Sequence, residues 1–363
     1  MIRTVPEGTA TPDRRPAALA LTSRYAAFLF ALLAVLTGSS CQVRVHRVPK
    51  PEPVATLQLA EVRRASDRVA TSNATWAPDG SLAFGTADGV VAVTRDGRER
   101  RISTLPAATH VEWSSAGRWV AAVSGGGLWM VDLAKVTTRR VELPGVVRAF
   151  RWGPAGDRGV AVVEGRGAWL WLVSAEGGLR RLVFGPAPAL YDLGWFPDGL
   201  YAFVRAEDAS GKTLALWRVR VAGPDWRQTP APFPSVVQAQ LSPTGRAVAY
   251  LVAEESGVAL VVHVTGHRPG KAVARGEALW GVSWSPQGDK LSYAEVEGGE
   301  RATVWVLDAD GSARLRIADY ALEFPDPGAL VGTQWSWDGR AVAFGTSFGL
   351  RAGPVWVARL ERR

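Results

Sequence analysis

"TWAPDGSLAF", residues 75–84, sets a tryptophan three positions ahead of Asp79-Gly80 and follows the pair with an alternating apolar stretch that closes on an aromatic. The proline presets φ, the glycine takes φ > 0, and the alternation on either side supplies two antiparallel strands around a tight turn. One hairpin buries little alone, so the fold depends on whether the chain repeats it. It does so seven times: "WAPDGSLAF" at Trp76, "WSSAGRWVAA" at Trp113, "WGPAGDRGVA" at Trp152, "WFPDGLYAF" at Trp195, "LSPTGRAVAY" at Leu241, "WSPQGDKLSY" at Trp284 and "WSWDGRAVAF" at Trp335. Successive copies start 37, 39, 43, 46, 43 and 51 residues apart. That matches the period of about 40–50 residues of a four-stranded propeller blade.

The recurrent tryptophan ends the first strand of each copy and is expected to lie between neighbouring sheets, which no blade achieves alone. Asp79, Asp198 and Asp338 read as turn formers, not as metal ligands or acid–base groups. Behind each turn runs a further alternating strand, from "VVAVTRDG" (90–97) in the first copy to "VWVARLERR" (355–363) in the last. Six copies continue into an outer strand rich in arginine, and the seventh has none. Spacing locates the missing strand: Arg100-Arg101 precede Trp113, and Arg139-Arg140 precede Trp152, by 13 and 12 residues, as Arg63-Arg64 precede Trp76. Residues 56–66 are therefore expected to complete the seventh blade beside 355–363. The fold class is all-β, a seven-bladed β-propeller of four-stranded blades over residues 56–363, closed by an N-terminal strand. A content of 39 Gly and 23 Pro, with 47% hydrophobic residues, suits such a chain of short strands and tight turns.

Ahead of the repeats, Arg14, Arg15 and Arg24 precede "AAFLFALLAVL" (26–36), then the small residues "TGSS" and the single cysteine, Cys41. The apolar run is shorter than the roughly 20 residues of a membrane-spanning helix, so residues 1–40 read as an export signal. They resemble a bacterial lipoprotein signal, in which the cysteine is diacylated and becomes the new N-terminus. That pattern favours Leu three positions before the cysteine, where this chain has Gly38. Gly38 and Ser40 equally suit an ordinary signal peptidase, which leaves Cys41 a free thiol. Residues 41–55, "CQVRVHRVPKPEPVA", are basic and Pro-rich and read as an extended tether.

The W-S-P-D-G-x-x-x-A-F repeats resemble the WD-like β-propeller repeats of the TolB family, periplasmic proteins of the cell envelope. The resemblance covers essentially all of the chain beyond the signal. It implies the fold, and because such repeats occur both in binding proteins and beside peptidase domains, it does not imply the function. The chain departs from TolB itself in lacking an N-terminal α/β domain ahead of seven motif copies where six are expected.

An enzymatic reading finds little support. The repeats leave no room for the hydrolase domain in which a G-x-S-x-G elbow works. Propeller lactonases hold calcium with Asn and acidic ligands, whereas Asn73 is the only asparagine here. Of the histidines His46, His110, His263 and His267, the pair in "HVTGH" need not share a face. No metal and no cofactor are expected.

The formal charge of +8 concentrates in arginine pairs on the outer strands. There it is expected to guard exposed edges against strand pairing, with contact to an anionic surface, glycan or lipid as the alternative. The export signal argues against nucleic acid. The expected function is a non-catalytic, monomeric envelope scaffold that binds a protein or peptide over the central channel. Its site belongs on the face opposite the Pro-Asp-Gly turns, at positions just before each motif, where the turns repeat but the residues do not. There Arg148, Tyr191 and Trp280 are expected to anchor the partner, and His110, Asp192 and Gln238 to orient it.

Overall fold

The computed structural model describes residues 52–207, 214–223, 226–229, 236–265, 270–298, 301–321, 331–346 and 353–363. The export signal, Cys41, His46, His267 and residues 41–51 of the tether lie outside them. Lys50–Arg363 form one compact unit.

The strands assemble into seven antiparallel sheets of four, one for each motif copy. The innermost strands of blades 1 to 7 are Thr75–Trp76, His110–Trp113, Val146–Trp152, Leu190–Trp195, Val236–Leu241, Ala278–Trp284 and Val331–Trp335. Blade 7 is completed by Leu57–Arg64, which pairs antiparallel with Val355–Arg362 from Leu57 opposite Arg362 to Arg64 opposite Trp356. The N-terminal strand thus closes the ring, as the spacing of the arginine pairs predicts.

Core residues do not gather inside blades. They form seven clusters, each shared by two neighbouring blades. The alternating strands present an apolar face on both sides of each sheet, and only the next sheet can cover it. The motif tryptophans sit at these junctions: Trp76, Trp113, Trp152, Trp284 and Trp335 are buried and Trp195 is half-buried. Four of them also bond across the junction. The indole N–H donates to a main-chain carbonyl of the preceding blade, Trp76 to Gln334 at 3.0 Å, Trp152 to Glu112 at 3.0 Å, Trp195 to Arg151 at 3.1 Å and Trp284 to Gln240 at 2.9 Å.

The Pro-Asp-Gly face is a second ring of contacts. Asp79, Asp198 and Asp338 accept the main-chain N–H two residues on, at 2.8, 2.9 and 3.1 Å, as turn formers do. Gly245 has φ +69°, and a Cβ there would lie 2.8 Å from Cδ of Pro197 in the preceding blade. Glycine is needed both for its conformation and for the close approach of consecutive turns.

Outer-strand cations join blades at the rim. Arg63 donates to the carbonyl of Arg95 at 3.3 Å, Arg139 to that of Ala175 at 2.6 Å and Lys271 to that of Asp310 at 2.6 Å, and Arg181 reaches the carbonyl of Val221. Each acceptor lies in or beside the outer turn of the following blade. The basic rim therefore has a bonding role inside the fold besides guarding edges.

Ordered contact starts before the sequence boundary at residue 56. Val54 is buried at the junction of blades 6 and 7, and its N–H donates to Asp308 Oδ1 at 2.9 Å. The adjoining Ala309 bonds to Asp289 in the Gln-Gly turn of blade 6. Glu52–Ala55, placed in the tether by composition, thus meet the propeller on its Pro-Asp-Gly side.

Candidate functional site

In blades 1, 2 and 5 the residue just before the motif position faces the next blade, because alternation along the strand turns it away from the motif side chain. Its side chain is used there. Thr75 Oγ1 accepts the main-chain N–H of Trp113, Glu112 Oε2 that of Trp152 and Gln240 Oε1 that of Trp284, each at 3.2 Å. Arg151 holds the same position in blade 3, and its Nη1 lies 3.2 Å from Glu112 Oε1.

Arg151 and Gln240 line the channel, where a cavity of about 110 Å³ opens to solvent. Its wall includes Asn73 of blade 1, Arg151 of blade 3, Gln238 and Gln240 of blade 5, Gly281 of blade 6 and Gln334 of blade 7. Only the central axis can be reached from all of these blades. Among the described residues the wall is rich in carboxamides and carries one charged side chain, the Arg151 guanidinium. Because Gln240 Oε1 is held by Trp284, its NH₂ group is the end available to the channel.

Above the cavity, the inner strands of blades 3 to 6 each break register, between Val147 and Ala149, Tyr191 and Leu193, Val236 and Gln238, and Trp280 and Ser283. Such β-bulges re-aim side chains and end regular pairing. They explain why the positions singled out in the sequence behave so differently. Arg148, an extra residue in its bulge, is exposed and pairs with Glu164 at 2.5 Å. Tyr191 is 40% exposed, donates its hydroxyl to Glu207 at 2.8 Å and lies under the Arg205 guanidinium, 4.7 Å from its ring centre. That hydrogen bond and partial burial raise the Tyr191 pKa.

Asp192 is the extra residue of its bulge, with φ +41°, and it points inward. Its Oδ2 accepts the N–H of Ala239 at 2.8 Å and a hydrogen bond from Arg205 Nε. Arg205 is buried, and it donates to the carbonyls of Val236 and Val237 at 2.9 Å each. Burial raises the Asp192 pKa against the pull of Arg205. This pair stands at the one junction where Leu241 replaces the motif tryptophan and Gly194 the residue before it. Asp192 therefore serves as an inter-blade strut.

Gln238 lines the cavity. Trp280 is half-buried against the core of blades 6 and 7, and among the described residues its indole N–H has no partner. His110 is half-buried, with Nε2 3.8 Å from Glu112 Oε2. The six positions thus divide: Gln238 faces the cavity, Arg148 and Tyr191 share the mouth of blades 3 and 4, and Asp192, Trp280 and His110 are turned inward. Sequence reasoning missed Arg151, Gln240 and Gln334, although each directly precedes a motif copy, at a position that varies while its neighbour repeats. It also missed Arg205, the one cation in the apolar strand "YAFVRAE" (201–207). Among the described residues no three His, Cys, Asp or Glu side chains are grouped to hold a metal ion.

No protein-family model matches the sequence, and no curated protein matches it. Solved structures do. An oligogalacturonate lyase in complex with manganese superimposes with a TM-score of 0.64 at 12% identity over 84% of this chain and 95% of its own. TolB from Acinetobacter baumannii gives 0.52 at 13% identity over 75% of this chain, which spans 65% of that TolB. A putative TolB from Agrobacterium tumefaciens gives 0.52 at 16% identity, covering 73% and 94%. At these identities the likeness shows the fold alone, a TolB-type propeller.

Proposed function

We propose that this chain is a non-catalytic binding propeller of the cell envelope, exported by residues 1–40 and held by lipid at Cys41, and that it grips a polypeptide partner over the channel. The observation that carries this reading is the cavity wall. Carboxamides and one guanidinium converge from separate blades, and these groups donate and accept hydrogen bonds without exchanging protons near neutral pH. They suit an extended peptide, whose backbone offers the same donors and acceptors in return. Arg148 and Tyr191 stand at the rim, where exposed aromatic and arginine side chains supply anchors. The chain from residue 52 meets the propeller on the Pro-Asp-Gly side, away from this mouth.

Two other readings have less behind them. Contact with an anionic surface rests on rim cations that already bond to neighbouring blades. Lyase chemistry rests on fold likeness alone. The test is crosslinking and pull-down of the full-length protein from its own cells, with Arg148→Ala/Tyr191→Ala as the comparison. The double variant is expected to lose the crosslinked partner while circular dichroism stays unchanged. An unchanged partner with an intact fold moves the site elsewhere.

A further inference from the structure

We infer that the channel cavity is a carboxylate-binding subsite, which seats an acidic side chain or the C-terminal carboxylate of the docked polypeptide. The inference rests on the polypeptide reading above and gives that site its chemistry.

Among the described residues, Arg151 is the only charged side chain in the cavity wall. Its one acidic partner among the described residues, Glu112, is buried behind it and is shared with other groups, His110 Nε2 among them at 3.8 Å. Glu112 Oε1 takes one Arg151 Nη1 contact, and Oε2 accepts the Trp152 main-chain N–H. A guanidinium has five N–H groups in a fixed fork, and a single contact to Glu112 leaves most of them for the channel. Arg151 is 35% exposed on its side chain and Glu112 11%, so the cation faces the cavity while the anion faces the junction. In the same wall, Gln240 of blade 5 presents its NH₂, since its oxygen is fixed by Trp284. Asn73 and Gln334 add amide donors from blades 1 and 7. A planar anion with two acceptor oxygens matches this set of donors.

The source of the carboxylate follows from what the wall lacks. Sugars are commonly held by stacking on open aromatic faces, and among the described residues the one aromatic in the wall, Phe344, is 2% exposed. A uronate is thereby disfavoured against a polypeptide.

The test uses the full-length protein in mild detergent and four probes followed by ligand-observed NMR: acetyl-Ala-Glu-Ala-amide, acetyl-Ala-Ala-Ala with a free carboxylate, the neutral acetyl-Ala-Gln-Ala-amide, and a uronate trisaccharide. One or both carboxylate peptides are expected to bind at least about tenfold more tightly than the neutral one, the worth of a charge-assisted hydrogen bond. Which of the two binds tells side chain from C-terminus. Arg151→Gln is expected to erase the preference and Arg151→Lys to restore part of it. Because loss of Arg151 also disturbs Glu112, the second variant is Glu112→Gln. Its amide oxygen can still accept the Trp152 N–H, while removal of the competing anion should tighten carboxylate binding severalfold, an effect no merely structural role produces. Equal binding of the neutral peptide overturns the carboxylate subsite and leaves the polypeptide reading standing. Binding of the uronate alone, or of no probe, overturns both.

Discussion

The indole N–H of Trp152 donates to the main-chain carbonyl of Glu112 at 3.0 Å, while the carboxylate of the same Glu112 accepts the main-chain N–H of Trp152 at 3.2 Å. Blades 2 and 3 are thus tied in both directions by one pair of residues, repeated at blades 5 and 6 by Trp284 and Gln240. Trp152→Phe keeps a ring at the junction and removes one donor, so it is expected to cost about 1 kcal/mol. Trp152→Ala empties the junction and is expected to cost about 3–5 kcal/mol. Urea unfolding of the two variants measures the difference.

The junction of blades 4 and 5 has a different chemistry. Asp192 and Arg205 are both largely buried and bond across it. Removing one partner strands the other, so Asp192→Ala is expected to destabilise by about 3–5 kcal/mol. The double variant Asp192→Ala/Arg205→Met is expected to recover much of that loss, and a double-mutant cycle by urea unfolding checks it.

Turn glycines differ in what an added methyl group meets. At Gly156, with φ +72°, a Cβ would lie 2.9 Å from the main-chain nitrogen of Ala116, whereas at Gly125, with φ +57°, nothing lies within 4 Å. Both alanine variants bear the left-handed backbone cost of about 1 kcal/mol, and only Gly156→Ala adds a clash with backbone. Its melting temperature is expected to fall clearly below that of Gly125→Ala.

Acid stability has a definite sign at Asp132. The Arg118 guanidinium, 2.9 Å away, and the main-chain N–H groups of Lys135 and Ala134 hold its carboxyl below the ordinary carboxylate range. The unfolded chain therefore binds more protons than the folded one, and stability rises with pH in this window. The Asp132 contribution is complete above about pH 4, the unfolded value, and is lost as pH falls through the lower folded value. Asp132→Asn should melt lower than the parent at pH 6 and show a flatter acid limb between about pH 4 and pH 2.

The repeat made the fold readable. Seven copies of one turn give the blade count, and the offset of Arg63-Arg64 from Trp76 gives the closing strand, because both depend on local spacing that the sequence carries directly. The site was legible only in part. The height of the channel mouth followed from the repeat, and Gln238 reached the cavity. The orientation of its neighbours did not, since bulges at Arg148 and Asp192 turn one side chain out and the other in, and a one-residue slip reverses facing. Arg151 and Gln240 stood beside a repeating tryptophan, and their role emerges only when the next blade is in place. Val54 shows the same limit at the N-terminus: a Pro-rich composition conceals a residue buried by a distant blade.

The account centres on a polypeptide held at the channel mouth, and a photoreactive side chain placed there tests it most directly. A benzoylphenylalanine at Gln238, in the cavity wall, is compared in living cells with one at Asp198, in the turn on the opposite face. The account predicts a discrete protein adduct from position 238 after irradiation, weakened by Arg151→Gln, and none from position 198. An adduct from position 198 with none from 238 contradicts it.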